Sequence, residues 1–338
     1  MIGGGMALKI LDYPWHQVHA YRLHSIPADF YFLDLDHVAW NYAQRPAPEN
    51  WRGVVEARSV QAGDFDVMLL HLDQWCGYHE LDMRGMAFRA AYDVHRRTGI
   101  PAVIIMHGTP DGAENRHAVL RLIRDLPVVC NSRQAAAEWD GGEDRVDRYG
   151  LRQFRAITHG YRVSEFWSAP LTARKREIVS ICSGGDTSRE YHGIPLLYRI
   201  ARDVPLAMYG PRGNRPWLPN YSAYRQMLAR ALVYFSPTRR APMPGARTEA
   251  MLSGVCVVSV PGNDFEDHVR DGETGYIVRR YADAVRVLSG LLDEPERAYR
   301  IGRAGREWAQ TEFCHKRFVA NWMSVLDKIG VGKSETTE

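Results

Sequence analysis

Several stretches of the chain hold residues whose types and spacing can do chemistry. In SICSGGDTSREYHG an apolar run ends at Gly184 and Gly185, followed by Asp186, Thr187, Ser188 and Arg189, and a helix is expected near His192 and Gly193. Glycines let the backbone approach an anion, and the N–H groups opening a helix can bind phosphate. Arg189 can add a bidentate contact. The same residues also suit a tight turn with a polar cap. In PMPGARTEAMLSG, Pro244 and Gly245 open a loop, and a helix is expected to begin between Ala246 and Glu249. Free N–H groups in its first turn suit a diphosphate. Glu249 either complements the helix dipole or accepts two hydrogen bonds from a ribose diol.

A second set stands at strand ends. His107 follows the apolar run of PAVIIMHG. A neutral imidazole there can bond a sugar hydroxyl or steady a reacting group, or it can serve the turn alone. His71 and Asp73 follow FDVMLL in the same way, and Asn131 and Ser132 follow PVVC, where they also fit a helix cap. Trp15 and His16 follow the first strand, and an aromatic face beside a polar ring suits a sugar or a base. His16, His19 and His24 lack the H-E-x-x-H spacing, so no metal site is expected. Without G-x-x-x-x-G-K-[ST], a P-loop nucleotidase is unsupported.

The frame that must position these residues is read from alternating patterns. The runs LKILDY, ADFYFLDL, FDVMLLHL, PAVIIMHG and PVVCNS are expected strands, with helices such as DMRGMAFRAAYDVHRRTG and RHAVLRLIRDL between several of them. The second half repeats the logic with REIVSICSGG, VPLAMYG (ending at Gly210), ALVYFSP and VCVVSV, interleaved with HGIPLLYRIARD, SAYRQMLARA and RTEAMLSG. DAVRVLSGLLDEP and residues 297–310 follow as helices. Continuous apolar strands spaced by helices indicate parallel sheets covered on both faces. The expected fold is α/β: two doubly wound Rossmann-like domains, with ligands at the carboxyl ends of the strands in an inter-domain cleft. The domains are expected at 1–168 and 169–311, the boundary being marked by EFWSAPLTARKRE. Residues 312–330 are expected to form a helix crossing back to the N-terminal domain, with Phe318, Trp322 and Leu326 as its stripe and Val325 beside them. The tail 331–338 is expected to be disordered, and the polar segment from Asp36 to Ser59 reads as a long loop.

Composition narrows the function classes. With 338 residues, 45% hydrophobic and 25% charged, the chain has enough apolar material for about two domains. A net charge of +3 permits an anionic ligand without demanding nucleic acid. No apolar run approaches the ~20 residues of a membrane span, and MIGGGMALKIL does not read as a secretory signal. The scattered Cys76, Cys130, Cys182, Cys256 and Cys314 suit buried reduced thiols rather than a disulfide framework.

The stretch from Pro244 to Gly275 resembles the donor-nucleotide site of GT-B glycosyltransferases, especially the large retaining group called family four (group 1). That group's wording is close to E-G-F-G-x-x-x-x-E-A-M-A-x-G-x-P-V-V, then D-G-x-x-G-x-L-V. Here T-E-A-M-L-S-G-V-C-V-V runs from Thr248 to Val258, and R-D-G-E-T-G-Y-I-V from Arg270 to Val278. ITHGYRVSEFW, from Ile157 to Trp167, is similar to the family's N-G-V-D-x-x-x-F segment. Two positions depart from the pattern. Ala241 stands where the family has the first glutamate of E-x7-E, and His192 stands where the phosphate clamp has lysine.

The resemblance implies a GT-B fold with a C-terminal crossover helix, and a cytoplasmic, metal-independent, retaining glycosyltransferase. It implies a nucleoside-diphosphate sugar, most simply a UDP-sugar, as co-substrate, a hydroxyl acceptor such as a saccharide or other glycoconjugate, and no separate cofactor. On it, Glu249 holds the ribose hydroxyls, and Gly245, Ala246, Arg247 and Thr248 lie beside the phosphates. Gly184, Gly185, His192 and Gly210 complete the donor side. Arg189 holds the charge of the leaving diphosphate, which helps deprotonate the acceptor. His107 acts on the donor sugar, while Trp15, His16, His71 and Asp73 face the acceptor. One alternative is a DNA glycosyltransferase acting on hydroxymethylated bases. The basic segments RHAVLRLIR and RVDRYGLRQFR would track phosphates, with Trp15, Trp40 and Trp51 around a flipped base. Another is a nucleotide-sugar-binding GT-B protein that has lost turnover, and an epimerase is a lesser one.

Overall fold

The structure, a computed structural model, describes residues 7–36, 38–77, 83–182 and 191–331. Gly184, Gly185, Arg189 and the tail beyond 331 lie outside the described residues. In chain order the N-terminal elements are β1 (Leu8–Asp12), α1 (Gln17–Leu23), β2 (Ala28–Asp34), β3 (Trp51–Glu56), β4 (Val67–Leu72) and α2 (Met83–Thr98). They continue with β5 (Ala102–Met106), α3 (Gly112–Ile123), β6 (Val128–Cys130), α4 (Arg133–Asp140) and β7 (Phe154–Ala156). Next come β8 (Lys175–Ile181), α5 (Ile194–Ile200), β9 (Leu206–Tyr209), α6 (Tyr221–Arg230), β10 (Ala231–Ser236) and α7 (Gly245–Leu252). The chain closes with β11 (Cys256–Ser259), α8 (Phe265–His268), β12 (Tyr276–Ile277), α9 (Tyr281–Asp293), α10 (Pro295–Glu312) and α11 (His315–Lys328).

The chain divides into two compact units, residues 1–160 with 315–338, and residues 161–314. The break at Gly160 falls upstream of the EFWSAPLTARKRE stretch, because Tyr161 and Phe166 already pack in the core of the second unit.

The first unit holds a seven-stranded sheet in the order β3-β2-β1-β4-β5-β6-β7, with parallel neighbours throughout. Both faces are buried, which explains why its strands read as continuous apolar runs. Along β5, Ile104 and Met106 face one core with α2 and α3, while Val103 and Ile105 face the other with α11. On α11, Phe318, Trp322, Val325 and Leu326 are the buried residues, packed with Ile10, Val103 and Ile105. The second unit has a five-stranded parallel sheet, β12-β11-β10-β8-β9.

Three strands depart from the expectation: β3, β7 and the two-residue β12. β3 lies inside the segment expected as a polar loop, and its alternating half-buried and exposed residues are those of an edge strand. β7, the opposite edge, has only three residues. The basic segments also differ from a phosphate-tracking surface. Arg116 and Arg145 pair with Glu143 at 2.8 and 3.1 Å, Arg148 with Asp125 at 2.9 Å, and Arg155 with Asp147 at 2.6 Å. Trp40 is buried against Phe32 rather than open to a base. The DNA reading is therefore not favoured. No described helix is long and apolar enough to cross a membrane.

Candidate functional site

In the first unit, strand parity decides which polar residues meet. Ile10, Val67, Leu69, Val103 and Ile105 share one face. Continuing the period of two to the carboxyl ends brings Asp12, His71 and His107 to that same face of β1, β4 and β5. His71 Nε2 lies 2.7 Å from Asp12 Oδ1, and His71 Nδ1 lies 2.7 Å from His107 Nε2. The side chains of Asp12 and His71 are fully buried. The Tyr13 hydroxyl accepts from the His71 amide at 2.8 Å and donates to its carbonyl at 2.9 Å, so the strand end is fixed at the backbone too. The His107 amide donates to Leu72 O at 2.8 Å, and Trp139 Nε1 donates to Gly108 O at 2.8 Å. His107 itself is only half-buried.

Other histidines surround this chain of bonds. His16 stacks on His107 with ring centroids 3.8 Å apart, and His19 meets it edge-on at 5.1 Å. His16 also stands 3.8 Å from Asp73, and Trp15 meets His16 edge-on. Arg22 on α1 donates to His159 Nδ1 at 2.7 Å. Burial is the first cause that holds His19, His107 and His159 well below the ordinary histidine range, reinforced by neighbouring histidines and Arg22. These rings are therefore neutral at neutral pH. Among the described residues no group of three or more His, Cys, Asp or Glu side chains is arranged to hold a metal.

Trp15, His16, His71, Asp73 and His107 thus gather at one sheet end. His71 has both ring nitrogens engaged and its side chain fully buried, so among these residues it is the one closed off by its own hydrogen bonds. Asp12, Arg22 and His159 belong to the cluster without standing out in the sequence. The signal for Asp12 is a carboxylate directly after the buried apolar pair Ile10 and Leu11. Ser132 takes the cap reading, its hydroxyl accepting from Ala135 N at 3.0 Å.

In the second unit the strand ends again converge. Gly210 has φ +137°, and a Cβ there would lie 2.2 Å from the carbonyl of Cys182, which closes β8. Gly193 has φ +70°, and a Cβ would lie 2.0 Å from the carbonyl of Pro237 after β10. The half-buried His192 stands beside Tyr191, and burial lowers its pKa. The helix α7 opens at Gly245, with Pro244 before it lending no side-chain cap. Gly245 and Ala246 are half-buried, whereas Thr248 is 1% exposed. Glu249, 2% exposed, accepts a 2.5 Å hydrogen bond at Oε2 from the Tyr224 hydroxyl of α6.

Arg247 departs from its expected place beside the phosphates. Its guanidinium turns inward, 4.2 Å from the centroid of the Phe265 ring, and is 2% exposed. Stacking on that ring substitutes for lost hydration, and burial lowers the pKa to about 10.

This helix lies in a stretch whose relatives are known. Residues 209–308 match the family described as glycosyl transferases group 1. Over this stretch the chain is similar to that family. A maltose-1-phosphate synthase (alpha form) of Mycolicibacterium smegmatis is 29% identical over 155 residues, 40% of this chain and 39% of that protein. The chain thus spans about two fifths of that relative. The GT-B glycosyltransferase structures of Anabaena HepE, in complex with UDP and glucose, and of Thermosynechococcus elongatus sucrose-phosphate synthase are similar in fold. The first has a TM-score of 0.67 at 14% identity, covering 96% of this chain and 100% of HepE. The second has a TM-score of 0.66 at 14% identity, also covering 96% and 100%. The fold shared with these structures is GT-B.

Proposed function

We propose that the protein is a retaining glycosyltransferase that moves a sugar from a nucleoside-diphosphate sugar to a hydroxyl acceptor without a metal ion. The observation that carries this reading is the group 1 match over residues 209–308, which contains α7 and Glu249. The second unit holds the donor. Its α7 N-terminus, with Gly245 and Ala246, faces the diphosphate, and Gly184, Gly185, His192, Gly210 and Arg189 complete that side. Glu249 accepts the ribose hydroxyls. A UDP-sugar is the favoured donor because HepE is described with UDP and glucose. The first unit holds the acceptor, with Trp15, His16 and Asp73 around it and His107 as the catalytic imidazole.

The test is incubation with UDP-sugars and a panel of saccharide acceptors, with and without EDTA. The product's anomeric configuration is read by NMR. Transfer with retention, unchanged by EDTA, is expected. Ala241 and His192 favour a second reading, donor binding without turnover. Binding of a UDP-sugar with neither transfer nor donor hydrolysis would establish it.

A further inference from the structure

We propose that the second unit carries a binding site for a phosphate monoester, separate from the proposed donor site, at the carboxyl ends of β10 and β11. A cavity of about 310 Å³ opens there, lined by Arg239, Arg279 and Arg280 over a floor that includes Leu196, Val260 and Pro261. That volume stands at the low end of small-ligand pockets. Ala284 in its wall belongs to the core under α5 and α9, with Ile194, Leu197 and Leu288. Helix α7 packs in the other core of this unit, through Ala250, Met251 and Leu252. The cavity is thus on the opposite face of the sheet from Glu249. All its lining residues belong to the second unit, and the assignment stands whether or not the protein transfers sugar.

Three arginines meet at this cavity, and among the described residues no carboxylate lines it. Asp283 holds Arg280 in place, accepting from Nε at 2.7 Å and from Nη2 at 3.1 Å. Arg279 stands 3.9 Å from Glu266. Arg239 differs, because among the described residues no acidic side chain pairs with it. Its backbone is nevertheless tied: the amide donates to Tyr191 O at 3.4 Å, and the carbonyl accepts from Asn263 Nδ2 at 3.0 Å. An uncompensated guanidinium is therefore presented to the cavity from a fixed point beside two further cations. Like charges around one mouth repel, and an anion between them relieves that repulsion. Helix α9 starts here with no side-chain cap on its first amides, which adds partial positive charge. Guanidinium forks match phosphate oxygens, and three forks suit the three terminal oxygens of a phosphoryl group better than the two of a carboxylate. The apolar floor selects between free phosphate and an ester. Only a ligand with an organic part gains from covering Leu196, Val260 and Pro261.

The test is isothermal titration calorimetry of the full chain at low ionic strength, with phenyl phosphate and inorganic phosphate as probes. Phenyl phosphate is expected to bind about tenfold or more tighter than inorganic phosphate. Arg239→Gln is expected to weaken phenyl phosphate binding about tenfold or more, and Glu249→Gln to change it by less than about twofold. A wild-type protein that binds neither probe at about 10 mM overturns the site. So does a folded Arg239→Gln variant with wild-type affinity, and if that variant does not fold, Arg279→Gln decides on the same expectation. Equal affinity for the two probes overturns the ester assignment. Displacement of phenyl phosphate by UDP places the probe in the donor site and overturns the claim of a separate one.

Discussion

The residue on which the proposed donor site turns is Glu249. It lies midway along α7, nearly inaccessible, with Tyr224 donating to one carboxylate oxygen. A bond this short fixes the carboxylate's orientation before any ligand arrives. Glu249→Gln is expected to weaken nucleoside-diphosphate binding by about 1.5–3 kcal/mol, the range of a charge-assisted hydrogen bond, and calorimetry with UDP checks it. Unchanged affinity would leave Glu249 a dipole residue only. His107→Ala is expected to lower turnover far more than nucleotide affinity, because the proposed donor site is built from the other unit's residues. Equal losses in both quantities would contradict that division. The neutral histidines also set a pH dependence. His19, His107 and His159 have folded-state pKa values below the unfolded value of 6.5. Above 6.5 neither state binds their protons. Below it the unfolded chain gains protons that the folded one refuses, so stability falls with pH, by about 1.4 kcal/mol per pH unit for each histidine in that window. Urea midpoints between pH 7.5 and 5 should decrease, and a flat profile would contradict the neutral cluster.

At the scale of elements, close packing of strand ends makes two glycines obligatory. Gly193→Ala would place a Cβ on the Pro237 carbonyl in a left-handed backbone region. A loss of more than about 2 kcal/mol is expected, measured as a fall in denaturant midpoint at constant slope. On α11, Trp322 is fully buried in the core of the first unit. Trp322→Ala is expected to cost about 3–5 kcal/mol, read the same way. The central strands were legible in the sequence because a sheet buried on both faces demands unbroken apolar runs. Phe318, Trp322, Val325 and Leu326 were legible because helical spacing stacks them on one side. β3 was not, because an edge strand needs only one buried face and its WRGVVE carries charge and a glycine. His107 could be assigned to a strand end, but its bond to His71 depends on the register between β4 and β5, which pairing sets and local sequence does not. Arg247 turned out buried because an aromatic ring distant in sequence, Phe265, receives it.

At the scale of the whole molecule, two parallel sheets of seven and five strands follow the doubly wound plan, each with polar residues gathered at strand carboxyl ends. The net charge of +3 is spread through local ion pairs such as Arg116 with Glu143 and Arg155 with Asp147. Long-range steering by a large field is therefore a small part of ligand capture, and recognition falls to built sites. The central claim is that the chain binds a nucleoside-diphosphate sugar through its second unit. A ligand that binds only the folded state raises the melting temperature by mass action. The direct measurement is the melting temperature of the full chain against a panel of nucleoside diphosphates and their sugars, with UDP and UDP-glucose included. The account predicts a concentration-dependent rise with UDP and a UDP-sugar that Glu249→Gln diminishes. A melting temperature unmoved by every nucleoside diphosphate and nucleotide sugar at millimolar concentration would contradict it.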